Sequence, residues 1–262
     1  MRVVLRASEA AGLLLLQAAL PRAARPERAR AKRVDAVYSL VVADPGSSGQ
    51  GPRSHQLFRD EARIARSRTL DGIGRAFDRD LSALIADRAR RRVFVHAGVV
   101  GFGDGAVMVP GKSLSGKTTL TRALVEAGGT YYSDEFAVLD PRGRVFPWPE
   151  PLSIRSAGAT KAGELRTAES LGFTRGRRSL PTRLVVLTSY EPGRRFRPAT
   201  LAPGPATLGV LEHTLSARSR PRASLRALGA ALAGAIVIKG PRGEARETAK
   251  FIVKLLERSK KG

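Results

Sequence analysis

The sequence predicts a mixed α/β fold in which a P-loop nucleotide-binding domain follows a smaller N-terminal α/β region. Strand-like and helix-like patterns alternate along the 262 residues, as they do in layered α/β domains. Residues 111–118 read GKSLSGKT, which matches the G-x-x-x-x-G-K-[ST] pattern of a phosphate-binding loop. The pattern changes shortly before this loop. We therefore place the N-terminal region at residues 1–92 and the P-loop domain at residues 93–262.

The N-terminal region has the patterns of strands and helices but no motif that indicates a function. Ser8 precedes an apolar run and is a suitable helix N-cap. Asp60 and Glu61 stand where two strand-like runs meet, which predicts a hairpin turn. In chain order we expect a strand over 3–6, a helix over 10–20, a strand over 34–43, a hairpin over 55–66 and an amphipathic helix over 70–90.

The second region begins with a hairpin instead of the single buried strand that precedes many phosphate loops. The apolar runs 92–102 and 105–111 are joined by Gly-Asp-Gly, a strong hairpin signal. The apolar run over 182–190 is typical of a buried parallel strand. The other expected elements are a helix over 117–129, strands over 130–140 and 144–149, helices over 206–215 and 223–233, a strand over 235–239 and a helix over 244–260.

The composition is that of a globular protein without cysteine. Apolar residues make up 42% of the chain, and the absence of cysteine excludes disulfides, thiolate nucleophiles and cysteine-ligated metals. Because such a chain suits a reducing compartment, we expect a cytoplasmic protein. The apolar run over 10–20 is too short to span a bilayer, and Glu9 before it favours a short strand and a helix over a signal peptide. We expect no membrane span.

The formal net charge of +23 has two interpretations. It could attract anions such as nucleotides, acidic partners or nucleic acid. Alternatively, it reflects an Ala/Arg/Gly-rich composition with arginines on solvated faces. The arginine clusters are scattered and lack the interleaved aromatic residues of a single-strand binding groove. We therefore favour the compositional interpretation and consider nucleic acid an unlikely partner.

The phosphate-loop residues have individual chemical roles in this interpretation. The glycines let successive backbone N–H groups turn toward phosphate oxygens, and the helix that follows adds its positive end. Lys117 is expected to reach the terminal phosphates, and the Thr118 hydroxyl to ligate Mg²⁺. The predicted nucleotide-binding residues are Gly111, Lys112, Ser113, Leu114, Ser115, Gly116, Lys117, Thr118 and Thr119.

An acidic pair and one histidine complete the candidate site. Asp134 and Glu135 follow the loop helix within a strand-like run, and in a parallel neighbouring strand Asp134 would face Thr118 and the metal. The predicted metal ligands are therefore Thr118 and Asp134. His96 follows Val-Phe-Val in the first strand of the hairpin, where a lone histidine is usually structural. His55 and His213 have no recognisable constellation around them and are interpreted as surface or packing residues.

In this order the residues resemble a known family. H-x-G, a hairpin, G-x-S-x-x-G-K-[ST], a helix and an acidic pair resemble the catalytic domain of the HPr kinase/phosphorylase family. They are most similar to its shorter bacterial HPr-kinase-like members, some of which act in peptide-tailoring pathways. The resemblance is dense over residues 93–155, looser beyond, and largely absent before residue 90. The hairpin before the loop is shared with phosphoenolpyruvate-carboxykinase-type sites, so the resemblance implies that fold.

The resemblance also implies roles for three residues. The family histidine corresponds to His96, and the proposed catalytic carboxylate corresponds to Asp134, which would accept the proton of an attacking hydroxyl. The second acid of the family is normally aspartate, whereas this chain has Glu135. The family signature E-x-R-G-x-G has its nearest counterpart at residues 153–158, where Ser153 replaces a metal-linked glutamate. This departure leaves the reverse phosphorylase reaction, and HPr itself as substrate, without support.

Two functions of different classes remain open from the sequence. The first is an ATP- and Mg²⁺-dependent kinase that phosphorylates a hydroxyl, such as a serine of a peptide or protein. The second is an ATP-binding regulatory module without phosphate transfer, which the missing signature glutamate favours. The sequence identifies neither the acceptor nor the oligomeric state, although the family forms rings and a homo-oligomer is one outcome that the resemblance implies.

Overall fold

The computed structural model describes residues 1–21, 24–25, 33–43, 54–112, 115–148, 152–154 and 164–259. It is a mixed α/β protein, as the sequence predicts, and it consists of two compact units, Met1–Arg88 and Ala89–Gly262. Among the described residues, none of the helices combines the length and apolar character that a membrane crossing requires.

The first unit is a four-stranded sheet with two helices. The strand order is β1-β2-β3-β4, with β1 parallel to β2 and the other pairs antiparallel. Apolar side chains of α1, α2 and the sheet form one core, to which Leu16, Tyr38 and Phe77 contribute. The elements are β1 (Val3–Ala7), α1 (Ala10–Ala18), β2 (Ala36–Val41), β3 (His55–Arg59), β4 (Ala62–Ser67) and α2 (Leu70–Arg88).

One sequence-based expectation in this unit is wrong. Ser8 does not cap α1, because the N-cap residue is Glu9, which makes no side-chain capping bond. Instead, the Ser8 hydroxyl accepts a hydrogen bond from the backbone N–H of Val42 at 2.9 Å. The residue before the helix is thus used to hold the chain after β2, a non-local contact that a capping pattern does not reveal.

The second unit contains the remaining ten strands and four α-helices of the described chain. A short 3₁₀ helix spans Glu169–Leu171. The elements in order are β5 (Val93–Phe102), β6 (Gly105–Pro110), α3 (Lys117–Glu126), β7 (Thr130–Ser133), β8 (Phe136–Leu139), β9 (Arg144–Phe146), β10 (Leu152–Ile154), β11 (Glu164–Arg166), β12 (Leu180–Leu187), β13 (Ala199–Thr200), α4 (Pro203–Leu211), α5 (Pro221–Leu232), β14 (Ile236–Lys239) and α6 (Ala245–Arg258).

The central sheet of this unit has the order β13-β14-β12-β6-β5-β8-β9, and β7 also pairs with β5. Strand β6 is antiparallel to β5, as the Gly-Asp-Gly hairpin predicts. On its other side, β6 is parallel to β12, which is parallel to β14. Parallel strands end at one edge of a sheet. The chain segments after β6, β12 and β14 therefore meet at the same edge.

Helices cover both faces of this sheet. On one face, Leu120 of α3 and Ile252 of α6 pack with Val107 and Leu184 of the sheet. On the other face, Val210 of α4 and Leu228 of α5 pack in a second cluster that includes Met108, Val185 and Val99. Because alternate residues of one strand point to opposite faces, both faces are apolar and the strands read as continuous apolar runs.

Several elements differ from the sequence-based expectation. The run 130–140 is two strands, β7 and β8, and the break falls at Asp134 and Glu135. The Ser133 hydroxyl accepts hydrogen bonds from the backbone N–H groups of Glu135 at 3.2 Å and Phe136 at 3.0 Å. These two bonds stabilise a turn of the chain at this point. The short strands β10, β11 and β13 are not evident in the sequence, since they contain too few residues to show a period.

In the turn between β8 and β9, a glycine lies close to the backbone of α5, and this contact can be tested by substitution. Gly143 has a left-handed φ of 76°, and a Cβ added there would overlap the backbone of Ala230 and Ala231 on α5. We expect Gly143→Ala to destabilise the protein by about 3 kcal/mol, since left-handed strain alone costs about 1–2 kcal/mol. The measurement is the free energy of unfolding from denaturant titration.

Gly172 provides the matched control. Its φ is 70°, but a Cβ there would have no atom within 4 Å. Gly172→Ala should therefore cost only the strain of about 1–2 kcal/mol. Equal losses in the two variants would contradict the close contact of the 140–143 turn with α5.

Candidate functional site

The predicted phosphate loop, residues 111–118, lies between the end of β6 and the start of α3. The loop begins at Gly111, whose N–H donates to the His96 carbonyl at 3.1 Å. Its Gly116 is the N-cap of α3 and has a left-handed φ of 79°. The first N–H groups of a helix have no acceptor inside it and are available to an anion. Ser113 and Leu114 lie outside the described residues, and Lys112 and Thr119 are exposed.

Lys117 is the buried cation of the loop, with 7% of its surface exposed. Its Nζ donates to the Lys112 carbonyl at 3.0 Å and lies 3.3 Å from Nε2 of His96. Burial lowers the pKa of Lys117, and the nearby carboxylates of Glu135 and Asp134 oppose this effect. The ammonium group is therefore held inside the loop among both acids and the histidine.

Asp134 is buried directly against the start of α3. The Thr118 hydroxyl donates to its Oδ2 at 2.6 Å. Its Oδ1 is buried and accepts no hydrogen bond from any residue that the structure describes. Burial raises the pKa of Asp134 to about 7, although the hydrogen bond from Thr118 acts in the opposite direction. The Thr121 hydroxyl, also buried, is close enough to this carboxylate to lower its pKa, so the oxygen faces Thr121 and not solvent.

The route by which Asp134 reaches Thr118 differs from the one expected. Asp134 follows β7, which pairs with β5 and not with β6, so it lies two strands from the loop strand. Gly98 on β5 leaves room for the Thr121 side chain of α3 beside this acid. A Cβ at Gly98 would lie 3.9 Å from Oδ1 of Asp134 and would overlap the hydroxyl of Thr121. The glycine of the H-x-G pattern therefore has a steric role.

His96 and Glu135 form the more exposed part of the site. Nε2 of His96 lies 3.2 Å from Oε1 of Glu135, whose side chain is 44% exposed. The same nitrogen faces Lys117, so one imidazole edge contacts both a carboxylate and an ammonium group. Among the described residues, no hydrogen bond joins His96 directly to Asp134. The structure thus places all three predicted acid–base residues around Lys117. Asp134 accepts a hydrogen bond from Thr118, whereas Glu135 contacts His96.

His213 also lies in this neighbourhood, although it was predicted to be a surface or packing residue. Its carbonyl accepts the N–H of His96 at 2.7 Å, and Leu215 donates to the carbonyl of Phe94 at 3.0 Å. The chain after α4 thus adds to the edge of β5. Burial lowers the pKa of His213, the carboxylate of Glu212 opposes this effect, and His96 and Lys117 add to it. His55 of the first unit accepts the N–H of Ala43 at 3.0 Å, a packing role.

A second buried cation supports the loop from the opposite side. Arg242, in the segment between β14 and α6, is 2% exposed. Its Nη2 donates to the carbonyl of Gly116 at 2.8 Å and its Nη1 to that of Gly243 at 2.9 Å. Its guanidinium also lies over the ring of Tyr190, 5.4 Å from the centroid. Arg242 thus holds Gly116 in place, although 126 positions separate the two residues in the sequence.

The residues at the site fit a magnesium ion that is bound together with phosphates. Thr118 and Asp134 supply hydroxyl and carboxylate oxygens, the ligand types that Mg²⁺ prefers. Among the residues that the structure describes, no three His, Cys, Asp or Glu side chains are grouped as a metal site. A dedicated all-protein metal cage is therefore not present in that part of the chain, whereas Mg²⁺ commonly uses one or two protein ligands and phosphate oxygens. Arg155 and residues 156–158 of the signature-like segment lie outside the described residues.

Comparisons with known proteins add little to this geometry. No protein-family model matches the chain, and no curated protein matches it. Among solved structures, the chain is similar to the Hpr(Ser) kinase/phosphatase from Coxiella burnetii, with 14% sequence identity and a TM-score of 0.35. That match covers 64% of this chain and 99% of the other. At this level the likeness is distant, and the interpretation of function rests on the geometry of the site.

Proposed function

We propose that this chain is an ATP- and Mg²⁺-dependent phosphotransferase that acts on a hydroxyl group, with a serine of a peptide or protein as the acceptor. The observation that carries the proposal is the hydrogen bond between Thr118 and Asp134 beside the buried Lys117. It brings a hydroxyl and a carboxylate suited to a metal next to a cation suited to phosphate, at the start of a helix. The choice of serine follows the sequence resemblance.

The chain's own residues have separate tasks in this reaction. Backbone N–H groups of residues 111–118 and the ammonium of Lys117 hold the β- and γ-phosphates. Thr118 and Oδ2 of Asp134 hold the metal, which when bound neutralises the charge that develops on the phosphates. The acceptor oxygen bonds to the γ-phosphorus while the bond from that phosphorus to the ADP oxygen breaks. The proton of the hydroxyl passes to the carboxylate of Asp134.

His96 and Glu135 are assigned to the acceptor side of the site. Their contact at 3.2 Å lies on the more exposed side of Lys117, where an incoming hydroxyl has access. A carboxylate fixed by an imidazole can orient a hydroxyl without taking its proton. Glu135 therefore serves as a positioning residue, and His96 connects it to the lysine that holds the phosphates.

The alternative is an ATP-binding regulatory module that does not transfer phosphate. It is favoured by Ser153, which stands where the resembled family has a metal-linked glutamate. Labelled ATP and a library of serine-containing peptides separate the two functions. A phosphotransferase should label serine peptides in the presence of Mg²⁺ and release ADP in equal amount, whereas a regulatory module should bind ATP and label nothing.

A matched library in which alanine replaces serine provides the control for this experiment. Label that appears equally in both libraries would contradict transfer to a serine hydroxyl. Failure to bind ATP, measured by calorimetry with and without Mg²⁺, would contradict both functions.

A further inference from the structure

Tyr190 is an aromatic residue beside the phosphate loop to which the proposed reaction gives no task. It follows β12 and is 47% exposed. Exposed apolar residues scattered singly need no explanation. The position and the fixation of this ring distinguish it from such residues.

The position of Tyr190 is set by the parallel strands. β12 and β14 run parallel to β6, so Tyr190 and Arg242 follow their strands at the edge where the loop follows β6. A Cβ at Gly116 would lie 3.8 Å from Cβ of Tyr190. Asp134 approaches the loop from the other side, past β5. Tyr190 and the metal-ligating acid therefore flank the loop on opposite sides.

The ring is fixed at both its edge and one face. Its hydroxyl donates to Oε1 of Glu244 at 3.2 Å, just before α6 begins. The buried guanidinium of Arg242 lies over the ring, 5.4 Å from its centroid, and is itself held by the carbonyls of Gly116 and Gly243. The backbone N–H of Arg242 also donates to the carbonyl of Ser189 at 2.9 Å. The residue remains 47% exposed while contacts hold its ring in one orientation.

An oriented, exposed ring is a stacking surface for a planar ligand. Stacking of a nucleobase on an aromatic side chain depends little on which base it is, since every base has a π-face. An ordered ring also loses little conformational freedom when it binds. In open α/β sheets, ligands bind along the carboxyl edge of the parallel strands. A nucleotide with its phosphates in the loop can extend along this edge over β12, away from Asp134.

We propose that Tyr190 stacks on the base of the nucleotide whose phosphates bind to residues 111–118. The ligand class is a nucleoside di- or triphosphate. Since stacking does not distinguish bases, Tyr190 supplies affinity and not a choice between adenine and guanine. The inference rests on the proposed function for the presence of a nucleotide in the loop.

The test compares ATP with inorganic tripolyphosphate, which has the phosphates but no base. Both are titrated with Mg²⁺ by calorimetry into wild type, Tyr190→Ala and Tyr190→Phe. Tyr190→Ala should weaken ATP binding about 10- to 100-fold and leave tripolyphosphate binding within about twofold. Tyr190→Phe keeps the ring and should retain most of the ATP affinity. Leu208→Ala, at an α4 position that is 62% exposed, is the surface control and should change neither affinity.

A second measurement uses the unaltered protein and so does not depend on the folding of a variant. Photolysis with 8-azido-ATP should attach the base to a peptide that contains Tyr190, and excess ATP should prevent the attachment. Attachment only to peptides elsewhere would overturn the inference. Unchanged ATP binding in Tyr190→Ala, or equal losses for ATP and tripolyphosphate, would also overturn it. If wild type binds neither ligand, the proposed function fails together with this inference.

Discussion

Replacement of Asp134 by asparagine is expected to lower the rate of phosphate transfer about 1,000-fold while ATP binding without Mg²⁺ stays within about threefold. The amide oxygen of asparagine can still accept the Thr118 hydroxyl, which now lies 2.6 Å from Oδ2 of Asp134. The variant therefore keeps the shape of the loop. It loses the negative charge for the metal and the group that takes the acceptor proton. Single-turnover transfer from labelled ATP measures the rate.

Glu135→Gln is the matched control, since it neutralises the neighbouring acid, which is 44% exposed. It should slow transfer by about tenfold at most, because an orienting group contributes less than a proton acceptor. Equal losses in the two variants would show that Asp134 has no special role. Normal transfer by Asp134→Asn would remove it as the proton acceptor.

A stability measurement separates this chemical effect from a folding defect. Burial raises the pKa of Asp134 from 3.8 to about 7. Without Mg²⁺, the folded protein therefore retains a proton that the unfolded chain has released between these two values. The contribution of Asp134 to the free energy of unfolding therefore falls as the pH rises from 3.8 to about 7. It stays low above pH 7. Asparagine carries no charge, so the variant should be at least as stable as wild type at pH 8.

The local elements of the fold could be predicted because their patterns are contained within short stretches. The hairpin of β5 and β6, the loop and α3 follow one another within about 35 residues, and the Gly-Asp-Gly turn defines their register. The apolar run that becomes β12 could be identified as a parallel strand since both of its faces are buried. Residues 130–140 look like one strand, because the turn depends on the side chain of Ser133, which a strand pattern does not reveal.

The site was predictable in part for the same reason. Lys117, Thr118 and Asp134 could be named because loop and acid lie one helix apart in sequence. Arg242 and Tyr190 come to the loop through β14 and β12, and neither belongs to a local motif. His213 reaches His96 through a bridge beside β5, which depends on how the chain after α4 packs. Such contacts are consequences of sheet order, and a single sequence does not specify that order.

Lys117→Met is expected to remove nucleotide binding almost entirely. Methionine keeps much of the apolar stem, so the packing of a side chain that is 7% exposed is disturbed little. The lost ammonium is worth about 2–4 kcal/mol toward a phosphate group in a buried site, a loss of roughly 30- to 1,000-fold in affinity. In the variant, the negative charges of Glu135 and Asp134 are no longer balanced by the lysine and repel the phosphates.

ATP and tripolyphosphate should weaken equally in Lys117→Met, in contrast to Tyr190→Ala, because the lysine acts on phosphate and not on the base. Lys112→Met is the matched control. Lys112 is in the same loop but exposed, and solvent screens its charge, so its loss should cost about 1 kcal/mol or less. If the two lysine variants bind ATP alike, affinity comes from the general positive charge of the chain. An ATP affinity that falls equally with added salt in wild type and in both lysine variants would point to the same origin. A loss confined to Lys117 would place the phosphates inside the loop, against the start of α3.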